Sequence, residues 1–229
     1  MATTVPDGII TPDDTTQYNP PIDLAAMADT IQTALNNVRV EITSQNQQFY
    51  GLAASMAGVT GMKRGDTYQE SDGNFIIWRY DGTAWQKWAS SWITWSPTLA
   101  AGAGTFTVGN GTLTARYRWV QGQVNFTFRL LFGSTTSIGT TNPNFTLPVN
   151  LEVGHSAFAT VASGTLGVTN GSAVSQGIAY RSGTSANVVV IGTWNVASTY
   201  PAIVGAGATI PFGWGAGCYI ELSGTYQPA

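Results

Sequence analysis

The sequence predicts a mainly β protein with an N-terminal coiled-coil helix. In order, it reads as an extended arm (residues 1–21), a coil (22–61), a small β-meander collar (62–90) and a C-terminal β-sandwich head of jelly-roll type (91–229). Three observations carry that reading. Apolar residues keep a heptad spacing from Leu24 to Val59. Beyond residue 62, Asp-Gly and Asn-Gly pairs punctuate runs in which apolar and polar residues alternate. Charge also changes in steps. Residues 1–62 hold six acids and one base, Arg39; residues 63–95 hold four of each sign; residues 96–229 hold only Arg116, Arg118, Arg129, Arg181, Glu152 and Glu221.

The arm contains Pro6, Pro12, Pro20 and Pro21 beside Asp7, Asp13 and Asp14. Proline fixes φ and removes a backbone donor, so neither a long helix nor a central strand fits. Such a segment becomes ordered by docking on a partner.

The coil rests on Leu24, Ala28, Ile31, Leu35, Val38, Ile42, Gln45, Phe49, Leu52, Met56 and Val59, whose steps alternate between four and three. That spacing puts Ala28, Leu35, Ile42, Phe49 and Met56 at a, and Leu24, Ile31, Val38, Gln45, Leu52 and Val59 at d. Asp23 is the expected N-cap, and Gly58 and Gly61 the expected terminators. A helix of about 35 residues is roughly 50 Å long at the ~1.5 Å α-helical rise. An amphipathic helix lying on its own domain is the competing reading. The strict 3.5-residue period and the length favour a coil. Ile and Leu are mixed at both seam positions, which leans toward three strands rather than two. Gln45 reads either as a polar layer that sets register or as a point where the coil splays. Gly51 weakens the helix locally.

In the collar, Asp72-Gly73 and Asp81-Gly82 mark tight turns, and Ile76, Trp78 and Tyr80 alternate onto one face. Three short strands bury little alone, so Trp78, Trp85 and Trp88 are expected in a core shared between copies, with sugar binding as the alternative. The head shows turn signals at Gly109-Asn-Gly111, Gln121-Gly122, Gly133-Ser134, Asn170-Gly171 and Ser182-Gly183. Leu113, Ala115, Tyr117 and Trp119 face one way, with Thr112, Thr114, Arg116 and Arg118 opposite. Val124, Phe126, Phe128 and Leu130 repeat the pattern, as do Ile220, Leu222, Gly224 and Tyr226. Many short strands with Gly-rich turns imply a sandwich or jelly roll.

Composition excludes several functions. Charged residues are 9%, against about 25% in an average domain. Net charge is −3 with nine scattered bases, which argues against a nucleic-acid partner. A neutral, weakly repulsive surface suits a protein held in an assembly, or an extracellular β-domain. One His and one Cys, His155 and Cys218, supply neither a zinc cage nor a disulfide within the chain. No metal and no cofactor are expected. No apolar run reaches the ~18 residues of a membrane span, so no membrane insertion is expected. The start, from Met1 to Tyr18, lacks a signal peptide's basic end and apolar middle.

The stretches Trp95-Ser-Pro-Thr-Leu99, Gly109-Asn-Gly-Thr-Leu-Thr-Ala-Arg-Tyr117, Gly133-Ser-Thr-Thr-Ser137, Pro211-Phe-Gly-Trp214 and Leu222-Ser-Gly-Thr-Tyr226 resemble the C-terminal domain of phage tail and fibre proteins, especially those of phages infecting actinobacteria. The stretch Trp78-Arg-Tyr-Asp-Gly-Thr-Ala-Trp85 is similar to their collar segments. Such proteins often carry an acidic residue where Cys218 stands. The resemblance implies a homotrimeric virion fibre whose arm, residues 1–21, attaches to other particle proteins while the head meets the host. A tail fibre or minor tail protein that binds host cell-wall or surface glycan is one expectation. A capsid fibre or decoration protein without its own ligand is the other.

No enzyme is expected. Glycoside hydrolysis usually needs two carboxyl groups, about 5–5.5 Å or about 6.5–9.5 Å apart depending on stereochemistry, and the head has only Glu152 and Glu221. A serine triad would need His155 as base, and no nucleophile-elbow motif is present. His155 otherwise reads as a surface or capping residue, and Cys218 as a buried, unreactive thiol. For glycan binding, aromatic rings stack on sugar C–H faces and amides satisfy hydroxyls. Trp194, Tyr200 and Trp214, with Asn195 and His155 as polar partners, are the candidates, and each reads equally as a core or interface residue. The expected trimer interface is Leu24, Ile31, Leu35, Val38, Ile42, Gln45, Phe49, Leu52 and Met56.

Overall fold

The computed structural model describes residues 3, 4, 10, 11, 24, 26–35, 46–152, 159–181, 183, 185–195 and 202–229. They fall into two compact units, Met1–Gln47 and Gln48–Ala229.

In the first unit, β1 (Thr3–Thr4) and β2 (Ile10–Thr11) pair antiparallel. Helix α1 covers residue 24 and residues 26–35. The expected N-cap, Asp23, lies outside the described residues.

The second unit is built on one large mixed sheet. Its strands in chain order are β3 (Gln48–Gly51), β4 (Thr67–Glu70), β5 (Ile77–Tyr80), β6 (Trp85–Ala89), β7 (Ile93–Thr94), β8 (Leu99–Ala100), β9 (Phe106–Thr107), β10 (Thr112–Val120), β11 (Gln123–Leu131), β12 (Ser137–Ile138), β13 (Asn144–Thr146), β14 (Thr160–Val168), β15 (Val174–Arg181), β16 (Val188–Asn195), β17 (Ala202–Gly205) and β18 (Cys218–Tyr226). The spatial order is β3-β4-β5-β6-β10-β11-β18-β14-β15-β16-β13-β8, with β17 on β16 and β7 on β10; β9 and β12 form a separate pair.

The expectation of one helix over residues 22–61 fails from residue 46 onward, where the chain is no longer helical. Gln48–Gly51 runs parallel to Thr67–Glu70, and Ala53–Gly58 is a 3-10 helix. The physical reason lies in long-range partners. Phe49 meets the edge of Trp85 at 6.3 Å between ring centroids. Tyr68 donates its hydroxyl to the Leu52 carbonyl at 2.8 Å, and Asp72 accepts from the Ala53 N–H at 3.0 Å. Gly51 disfavours a helix by about 1 kcal/mol relative to alanine, and here it is required. A Cβ at Gly51 would stand 2.5 Å from the Tyr68 hydroxyl oxygen. The three-residue step from Met56 to Val59 suits a 3-10 turn as well as a heptad, and Val59 N–H donates to the Met56 carbonyl.

The collar meander forms where its turns placed it, with β4, β5 and β6 antiparallel in sequence. Tyr80, Tyr68 and Phe49 surround Trp85 within the chain. Ile76 lies just before β5, where its carbonyl accepts the Glu70 N–H. The meander continues into the head sheet through the Val120–Ala89 pair.

The head's central hairpin, β10–β11, closes through Gln121 and Gly122, both at positive φ, as a type I′ turn requires. The alternation of β11 and β18 is borne out: Val124, Phe126, Phe128, Leu130, Ile220 and Leu222 are buried, while Arg129 and Glu221 are exposed. Instead of two sheets of comparable size, hydrogen bonding joins the described strands of the core, apart from the β9–β12 pair, into one sheet that bends over itself. Phe128 on β11 stacks on Phe145 of β13 at 4.4 Å between centroids, although four strands lie between them in the ladder. Gly164 and Gly224 permit the close passage of β14 and β18: a Cβ at either would fall onto a facing backbone carbonyl, that of Glu221 or Val161. Trp95 anchors β7 to this core, edge-on to Phe126 at 5.9 Å, with its indole N–H donated to the Thr146 carbonyl.

Candidate functional site

Helix α1 presents an exposed apolar stripe. Leu24, Ile31 and Leu35 are 59%, 55% and 58% exposed. Met27 and Ala28 are also exposed on that stripe. Isolated helices of this length are marginal in water, and the exposed residues keep heptad spacing. Val38, Ile42 and Gln45 of the expected seam lie outside the described residues. Phe49, Leu52 and Met56 sit in or beside β3 and the 3-10 turn, so they do not extend that helical stripe.

The expected glycan candidates are only partly brought together. His155 and Tyr200 lie outside the described residues. Trp194 is 39% exposed and stands with Asn195 at the end of β16, where these two pair with Ile203 and Ala202. Trp214 is engaged within the chain. Its ring stacks on Phe132 at 5.1 Å and leans on Phe212, and its N–H donates to the Gly207 carbonyl at 2.9 Å. Among the described residues no ring contact joins Trp194 to Trp214.

The two head carboxylates stand apart. Glu221 lies mid-strand beside Arg129, at 3.6 Å and well exposed. Glu152 donates its backbone N–H to the carbonyl of Gln227, which lies six positions beyond Glu221, or roughly 20 Å from it at strand rise. Among the described residues there is no cluster of three metal-ligating side chains, and no helix is long and apolar enough to cross a membrane. Cys218 is buried, and its sulfur accepts the Gly215 N–H.

A second surface was not singled out by the sequence. On the outer face of β10, Arg118 and Arg116 lie over the ring of Trp92 at 4.8 and 5.7 Å, and Trp92 is 40% exposed. Further along the sheet, Arg79 lies over Trp88 at 4.8 Å. The register shift between Ile77 and Trp78 makes room for Trp88 in β6. On the opposite face Lys87 sits between Trp78 and Trp119, at 5.3 and 5.6 Å. The legible signal was the pair Arg116 and Arg118, two residues apart on the solvent side of an alternating strand.

No family model, no curated protein and no solved structure matches the chain.

Proposed function

We propose that the protein is a homotrimeric phage virion fibre protein. Residues 1–21 attach it to other particle proteins, a three-stranded coil seamed by Leu24, Ala28, Ile31, Leu35, Val38, Ile42 and Gln45 joins the copies, and the C-terminal unit recognises a host-surface glycan. The observation that carries this reading is the uncovered stripe of Leu24, Ile31 and Leu35, together with the sequence resemblance to phage fibres. Trimerisation supplies avidity, so weak binding at each copy suffices to hold a particle. It performs no catalysis in this reading; the separation of Glu152 and Glu221 supports that. The experiment is binding of the purified full chain to a panel of actinobacterial cell walls. Saturable retention on walls, competed by soluble wall polysaccharide, supports host recognition; no retention on any wall contradicts it.

A second reading is a capsid fibre or decoration protein without a ligand of its own. The internal engagement of Trp214 favours it. Imaging the particle with a label at residue 1 separates the two: label at the tail supports the first, and label over the capsid supports the second.

A further inference from the structure

We infer that the outer face carrying Trp92, Arg116 and Arg118 binds an anionic polysaccharide, one bearing carboxylate or phosphodiester groups; this names the ligand class of the host recognition proposed above and rests on it. Three observations converge. The head is almost free of charge, yet two of its four arginines share one outward row of β10 and meet one tryptophan. Among the described residues neither guanidinium has a carboxylate partner, whereas Arg129 has Glu221. An arginine held over a ring keeps its planar edge and its donors free for an oxyanion. The neighbouring outward side chains on β11 and β18, at Asn125, Thr127, Ser223 and Thr225, are hydroxyls and amides. They suit sugar hydroxyls.

The same face carries a second arginine–tryptophan station, with one arginine in place of two. Ile77, Ala89 and Val120 lie in one row across β5, β6 and β10. Arg79 and Arg118 stand two residues from that row in opposite directions, so their backbones are roughly 16 Å apart by strand spacing and rise. Arg79 with Trp88 therefore repeats the pairing of Arg118 with Trp92 along a path that an extended polymer with recurring negative charge follows. Charge complementarity selects the occupant. A neutral glycan would leave the guanidiniums unanswered, and an apolar protein face would bury them at high cost.

The test uses the full chain, with polygalacturonate, polyglycerol-phosphate teichoic acid, neutral dextran and single-stranded DNA as probes, and cell walls alongside. The wild type is expected to bind at least one of the two charged glycans and not dextran. The carboxylate and phosphodiester arms tell which group is read. Arg116→Gln with Arg118→Gln should weaken that binding about tenfold or more, and Arg118→Lys should weaken it less. Trp92→Ala should weaken it as well. These side chains are exposed, so thermal melting should be nearly unchanged. Equal affinity of the double arginine variant, equal binding to dextran, or DNA bound as tightly as glycan would each overturn the inference. If the wild type holds to cell walls and the double arginine variant holds equally well, this inference fails while host recognition stands. If the wild type holds to no wall, host recognition fails first and this inference with it.

Discussion

Asn110 and Thr135 hold each other across two loops. The Asn110 backbone N–H donates to the Thr135 hydroxyl, and the Thr135 backbone N–H donates to the Asn110 side-chain oxygen, both at 2.9 Å. Asn110 also donates its amide to Ser134 at 3.0 Å. Thr136 reinforces the join by donating to the Val108 carbonyl. Two stretches that the sequence shows only as separate turns, Gly109-Asn-Gly111 and Gly133-Ser-Thr-Thr, are thus one interlocked structure. Replacing Asn110 by alanine removes donors and acceptors at once, so the unfolding free energy should fall by about 1–3 kcal/mol. Thr135→Val should fall by less, and the double variant should be non-additive, since the two share bonds. Denaturant melts of the four proteins measure this.

The alternation of β11 gives a contrast between neighbours. Phe128 is fully buried against Phe145, while Arg129 faces solvent. Phe128→Ala should cost about 3–5 kcal/mol through lost burial and the cavity left behind. Arg129→Ala should stay within about 0.5 kcal/mol, because its ion pair with Glu221 is exposed.

Gly51 distinguishes a strand from a helix by sign. In a continuous helix, Gly51→Ala would stabilise by about 1 kcal/mol. In the strand seen here, the added methyl meets the Tyr68 hydroxyl and threatens its bond to Leu52, so the substitution should destabilise. Tyr68→Phe, which removes only that bond, should cost about 1 kcal/mol. Equilibrium unfolding of both variants is the check.

Burial holds the Tyr226 phenol above its ordinary titration range, only partly opposed by its bond to Val149, with a further upward push from Tyr117. A group raised on folding supports the fold below its unfolded pKa, near 10. That support is lost as pH climbs above that value toward the folded one, because the unfolded state releases the proton first. Stability should therefore be flat through neutral pH and decline in strong alkali. Tyr117 and Tyr180 are raised by burial as well, so Tyr226→Phe should flatten the alkaline decline in part. A Tyr226→Phe profile as steep as the wild type's would contradict the assignment.

How much was legible follows from the kind of signal. Period-two alternation in β10, β11 and β18 read out burial correctly because each strand has one core face and one solvent face. Turn dipeptides located the meander and the central hairpin because positive φ restricts residue choice so sharply. The boundary near residue 47 was missed because spacings of three and four fit a strand followed by a 3-10 turn over Phe49, Leu52, Met56 and Val59 as well as they fit a helix. What decides there is non-local, namely the pairing with Thr67–Glu70 and the contact with Trp85. Trp214 was ambiguous because an aromatic in a glycine-rich loop reads alike whether it stacks on sugar or on Phe132. The single folded-over sheet was not legible, since strand order depends on which edges meet and period-two patterns are silent on that.

A trimeric fibre requires the exposed stripe of α1 to be covered by two further copies. Sedimentation equilibrium of the full chain at micromolar concentration measures this directly. The expected species has three times the 24.1 kDa chain mass, reduced to single chains by Ile31→Asp with Leu35→Asp while the β-sheet signal is retained. A wild-type protein that sediments as a single chain under those conditions would contradict it.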